Sequence, residues 1–166
     1  WKTIKKDLAP AEIIHHGFGG SNISEMAYYI PRIAFNHSLK AIYMYSGSND
    51  LSVSKQDKSP LQILETYKYV VKLLRSKFPN TPIYYIAISP NERRWEVWDK
   101  IQETNELIKN YSSTKTNMYF VETASALLGA DGKYQPQLHI DDKLHFNEKG
   151  YEIWTKIMRK SIAEIK

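Results

Sequence analysis

Ala41-Ile42-Tyr43-Met44-Tyr45-Ser46-Gly47-Ser48-Asn49-Asp50 is the stretch on which the fold turns. Its first half is apolar and aromatic without alternation, the pattern of a strand covered on both faces. Its second half is small and polar, the composition of a loop at a strand end. A helix follows: Ser59 suits the cap and Pro60 the first helical position, and Leu64, Tyr67, Val71, Leu74 and Phe78 keep helical spacing. Phe78-Pro79 stops that helix.

The same unit recurs on either side. Ile83 to Ile88 reads as a buried strand ending at Ser89-Pro90-Asn91, and Trp95 to Tyr111 as a helix. Trp98, Ile101, Asn105 and Ile108 form one stripe of that helix, with Asn105 expected as a buried amide whose hydrogen bonds are met. Met118 to Val121 reads as a further strand. Asp131-Gly132 makes a turn, and Asn147 starts a last helix with Tyr151, Trp154, Met158 and Ile165 facing inward. Upstream, Ala11 to His16 reads as a strand running into Gly17-Phe18-Gly19-Gly20. Ile23 to Tyr29 reads as a helix capped by Ser21, Asn22 or Ser24 and disturbed by Pro31. Alternating strands and helices predict an α/β fold: a three-layer α/β/α sandwich on a parallel, flavodoxin-like sheet. In such sheets ligands bind at the C-terminal ends of the strands. No repeat or second domain interrupts residues 1–166, which read as one domain.

Composition excludes several classes. An apolar fraction of 42% and a charged fraction of 25% are ordinary for a globular chain. With no cysteine, disulfides and thiolate-bound metal are out. No run approaches a membrane span. The net charge of +5 is spread along helix faces and lacks a stacking motif, so it reads as solvated surface, and no nucleic acid is expected as a partner. Trp1, not methionine, opens the sequence, so no leader is in view and no compartment is assigned.

Three segments carry chemistry. Gly17 to Ser21 is glycine-dense after a predicted strand; such a loop can turn sharply and present N–H groups to an anionic oxygen, or be only a tight turn. Its spacing does not fit a dinucleotide fingerprint. Asn49 ends the next strand, where its side-chain N–H₂ can serve as a second donor or form an Asx turn. Asp142-Lys143-Leu144-His145 sets a carboxylate three residues from an imidazole, which can hold the ring in one tautomer as a general base. The plainer reading is a polar turn before a helix that Asn147 caps.

In this order the segments resemble the SGNH (GDSL-like) serine hydrolase superfamily. Gly17 to Ser21 is similar to its glycine block, Gly47 to Asp50 to its Gly-x-Asn-Asp block, and Asp142 to His145, continuing through Phe146 to Tyr151, to its Asp-x-x-His block. The resemblance implies Gly20 N–H and Asn49 as the oxyanion hole, His145 as base and Asp142 as its partner. It implies hydrolysis of a carboxylic ester, a small-molecule substrate, and no metal or organic cofactor. Many relatives carry Asn-Arg where this chain has His15-His16, which read as structural or rim residues.

The family's nucleophile block, Gly-x-Ser, has no counterpart. Trp1 to Ile4 resembles the helix that follows it, so the chain reads as N-terminally incomplete, with no nucleophile within it. Ser21, Ser46, Ser48 and Ser89 do not occupy the family position. The missing strand is expected to lie between those near Ile13 and Ile42, supplied by an upstream segment that completes the sheet. Two other readings compete: a non-catalytic carbohydrate- or ester-binding module on the same fold, with Phe18 and Trp95 as stacking surfaces, and metal-assisted hydrolysis by His139, Asp141, Asp142 and His145, whose spacing fits no standard zinc pattern. Arg93, Arg94 and Trp95 are candidates for the rim of the site.

Overall fold

The structure, a computed structural model, describes residues 1–51 and 57–165. Its centre is a parallel sheet of three strands in the order β1 (Ile42–Met44), β2 (Ile83–Ile86) and β3 (Met118–Val121). The parallel order follows from the connections. Helix α3 (Pro60–Lys77) joins β1 to β2, and α4 (Trp98–Ser113) joins β2 to β3, each long enough to return the chain to the same end of the sheet.

Each face of the sheet is covered, which makes three layers. On one face Met44, Ile83, Tyr85 and Met118 pack with Ile63, Tyr67 and Leu74 of α3, Ile101 and Ile108 of α4, and Ile23 and Ile30 of α2 (Ile23–Ile33). On the other, Tyr84, Ile86 and Val121 meet Trp154 and Met158 of α5 (Glu148–Ala163), with Leu8 beside the short α1 (Ile4–Asp7). Each fully buried aliphatic side chain contributes roughly 1.5–3 kcal/mol, so these two seams dominate stability. The apolar strands without alternation are now explained, because every second side chain serves the opposite layer. Register places Tyr43 beside Tyr84 and Tyr84 beside Tyr119, and the rings stack at centroid spacings of 4.4 and 4.8 Å on the α5 face.

Local signals set the helix starts. Asn22 and Ser59 each form a capping box, with Glu25 and Gln62 respectively, and Asn147 accepts from Gly150 N. Asn105 is buried, and its amide takes both backbone groups of Ile88: Oδ1 accepts from Ile88 N at 2.8 Å and Nδ2 donates to Ile88 O at 2.9 Å. The end of the β2 segment is pinned where it opens into the loop of residues 89–91.

Three expectations need correction. Ala11 to His16 is no strand: its backbone is irregular, Ile14 is 49% exposed, and only Ile13 packs against the α5-side core. Two adjacent isoleucines do not make a strand without a ladder to join, and among the described residues nothing pairs with β1 opposite β2. The segment near Ile13 therefore neither pairs with β1 nor flanks a strand that does. The helix expected over Ile23 to Tyr29 continues through Pro31 to Ile33. The proline lies in the last turn, where it removes a single hydrogen bond, and burial of Ile23, Ala27 and Ile30 outweighs that loss. Finally, the helix expected from Trp95 starts at Trp98, after a 3-10 segment over Glu92–Val97 capped by Asn91.

Candidate functional site

The first two segments of the site meet where β1 opens. Gly47 has φ +105, which favours glycine, and a Cβ there would lie tightly at 3.0 Å from Ile88 Cδ1 and 3.2 Å from Tyr85 Oη. Buried Tyr85 donates from Oη to Ser46 O at 2.5 Å. Burial pushes its hydroxyl pKa well above the ordinary value, so it remains a donor. Chain direction after β1 is thereby fixed. Asn49 then points back to the glycine loop: its Nδ2 donates to Ser21 O at 3.0 Å, next to Gly20 at φ +75. Buried Asp50 locks the same junction by accepting from Ile23 N at 2.9 Å and from Lys58 Nζ at 2.7 Å.

The third segment is a compact turn before α5. Ile140 N donates to His145 O at 2.9 Å, and Asn147 N to Leu138 O at 3.0 Å. Lys143 holds φ +61, the left-handed region that a lysine seldom adopts. Asp142 does two things at once. Its Oδ1 accepts from Leu144 N and His145 N, both at 2.9 Å, as an Asx turn does. Its Oδ2 meets His145 Nδ1 at 2.5 Å. An ionised carboxylate only accepts, so Nδ1 carries a proton, and in the neutral ring Nε2 then presents its lone pair. The polar turn and the held imidazole are therefore one arrangement. The His145 side chain is 64% exposed, and among the described residues no serine hydroxyl hydrogen-bonds its ring.

The hydrogen bond from His145, backed by the backbone donors, holds the Asp142 carboxyl at a pKa of about 2, below the ordinary 3.8. A depressed folded-state pKa contributes stability that is fully present above 3.8 and lost as pH falls through about 2. A carbon-detected NMR titration of the Asp142 carboxyl is expected to give its midpoint near 2; a midpoint at 3.8 would remove the contact from solution.

Residues 91–94 connect the two halves. Arg94 Nη2 donates to Asn49 Oδ1 at 2.9 Å, Arg93 N donates to Lys143 O at 3.2 Å, and Glu92 Oε1 accepts from Lys143 Nζ at 2.6 Å. Glycine loop, Asn49 loop and Asp142–His145 turn thus form one hydrogen-bonded chain. Sequence reading placed Arg93 and Arg94 at the rim without these bonds, and missed Tyr85, Glu92 and the conformation of Lys143. No local signal could have found the bonds of Tyr85 and Glu92, because each partner lies far along the chain.

Other candidates are placed elsewhere. His139 is buried: its ring packs on Phe146 at 5.2 Å, and Nδ1 is 3.1 Å from Gln135 O. Burial lowers its pKa, with the carbonyls of Gln135 and Pro90 acting the other way. Among the described residues no group of three or more His, Cys, Asp or Glu stands where it could hold a metal ion. Trp95 stacks on Trp98 at 5.5 Å, whereas Phe18 is 44% exposed beside Tyr29. His15 and His16 are exposed. Ser46 and Ser89 are buried, and Ser21 and Ser48 half-buried. Among the described residues no helix is long and apolar enough to cross a membrane.

The fold is shared with solved structures at low sequence identity. A candidate acylhydrolase from Bacteroides fragilis superposes with a TM-score of 0.83 at 16% identity, covering 98% of this chain and 80% of that one. A GDSL-like lipase from Bacteroides thetaiotaomicron gives 0.75 at 18%, covering 91% and 75%. A family 3 carbohydrate esterase from Talaromyces cellulolyticus gives 0.73 at 16%, covering 93% and 76%. A comparison with curated proteins gives no match. The model of the GDSL-like lipase/acylhydrolase family matches residues 2–153, and with its sheet, its strand-end loops and its Asp-x-x-His turn the chain belongs to that family.

Proposed function

We propose that the protein is a serine esterase that hydrolyses short-chain carboxylic esters, with His145 as base, Asp142 as its partner, and Gly20 N–H and Asn49 as oxyanion donors. The observation that carries this reading is the contact of 2.5 Å between Asp142 Oδ2 and His145 Nδ1, on a carboxylate whose other oxygen is held by two backbone N–H groups. Family membership supports hydrolysis in general. The serine belongs, on this reading, to a segment upstream of Trp1 that also pairs with the open edge of β1.

Each step follows from these groups. The serine Oγ attacks the ester carbonyl carbon while His145 Nε2 takes the hydroxyl proton, and the carbonyl π pair moves onto oxygen. Gly20 N–H, Asn49 and the serine's own N–H hold that oxyanion. Asp142 stabilises the imidazolium without taking its proton. Collapse expels the alcohol oxygen, which leaves with the proton from His145. Water then attacks the acyl-enzyme, again deprotonated by His145; the carboxylic acid departs and serine regains its proton.

A fluorophosphonate probe tests this directly on the full-length protein. The expected result is one labelled serine, N-terminal to Trp1, with labelling lost on heat denaturation. Absence of labelling by the folded protein overturns the esterase reading and leaves the binding module.

A further inference from the structure

The side chain of Asn49 is almost symmetric in shape, and only its partners decide which end faces which way. Arg94 Nη2 donates to Asn49 Oδ1 at 2.9 Å. A guanidinium has donors and no acceptor, so it can face only the oxygen end of an amide. At the other end Asn49 Nδ2 donates to Ser21 O at 3.0 Å. Turning the amide over would set N–H against guanidinium and oxygen against carbonyl oxygen, replacing two hydrogen bonds by two repulsions. We propose that Arg94 is a positioning residue for the reaction: it fixes the Asn49 amide with nitrogen toward the Gly20 loop. This rests on the esterase reading of Asn49.

The placement of Arg94 is costly without such a role. Its Nε is buried and, among the described residues, has no hydrogen-bond partner. Among those residues the guanidinium also joins no ion pair within 4.0 Å. Burial, with the charge of Arg93, lowers its pKa, while Asp57 and Tyr45 act against that shift. A half-buried cation set on a neutral amide oxygen loses hydration that a carboxylate would restore. The segment that carries it is held from both sides: Arg94 N donates to Asn91 Oδ1 at 3.0 Å, and Arg93 N to Lys143 O at 3.2 Å. Arg94 therefore sets Asn49 from a frame that is also tied to the turn of Asp142 and His145.

The test is a double-mutant cycle in the full-length protein, read with a short-chain aryl ester. Arg94→Met keeps an apolar stem and removes the donor. Its kcat is expected to fall roughly 10- to 100-fold, the scale set by misplacement of a catalytic group. KM is expected to change by no more than about twofold. Arg94→Lys restores part of kcat. In an Asn49→Ala background, Arg94→Met costs nothing further, because both changes remove the same interaction. The same loss in both backgrounds overturns the proposal, as does a rise in KM with kcat unchanged, which would assign Arg94 to the substrate. A readout that needs no turnover is the Asn49 side-chain N–H₂ pair in nitrogen-15 NMR. The pair is expected to shift in Arg94→Met and return in Arg94→Lys; unmoved resonances overturn the proposal. Undiminished kcat in Asn49→Ala alone overturns the oxyanion reading, and the NMR result then decides the role of Arg94 independently.

Discussion

Replacing His145 by alanine in the full-length protein is expected to lower kcat for a short-chain aryl ester by roughly 10⁴-fold or more, the scale on which loss of a triad base acts. Physically, the attacking hydroxyl holds its proton far too tightly to lose it to water at neutral pH. On the proposed reading the imidazole supplies the acceptor and returns the proton to the leaving alcohol. Asp142 at 2.5 Å holds the required tautomer. The fold should survive, because the His145 side chain is 64% exposed and packs into neither core. Far-UV circular dichroism is expected to match wild type, with the melting temperature lowered only by the lost contact to Asp142. Unchanged turnover in a folded variant would sink the role assigned to His145.

Asn49→Ala is expected to be the next largest effect, a loss of roughly 10²–10³ in kcat, the usual consequence of removing one oxyanion donor. An N–H₂ aimed at the developing negative oxygen is worth more in the transition state than against the neutral carbonyl, so kcat should fall more than KM rises. The substitution also removes the link between the glycine loop and Arg94, since Asn49 bonds Ser21 O on one side and Arg94 on the other. Some loss of thermal stability should accompany it. Steady-state kinetics with a melting curve separate the two: a fall in melting temperature with kcat intact would make Asn49 structural only.

The His145 and Asn49 predictions rest on residues legible in the sequence, and the fold was legible for the same reason. The caps at Ser59 and Asn147, the helical spacing of Leu64 to Phe78 and the continuous apolar strands are local patterns, and local free energies enforce them wherever the chain goes. Asn105 belongs to this class too, since an amide on an apolar helical stripe must find its partners inside, and it found them at Ile88. Ala11 to His16 failed because a strand is not a local object: it needs a neighbour's ladder, which two isoleucines cannot announce.

By itself, then, the sequence determined the alternation of strands and helices, their caps and the order of the three site segments, because periodicity and end chemistry are written in adjacent residues. Tertiary structure alone decided how those segments are joined. Arg94 reaches Asn49 across 45 positions, and Lys143 reaches Glu92 across 51. Such contacts carry no signature in either neighbourhood, since each partner is an ordinary polar residue until packing of the two layers on the sheet brings it to the other.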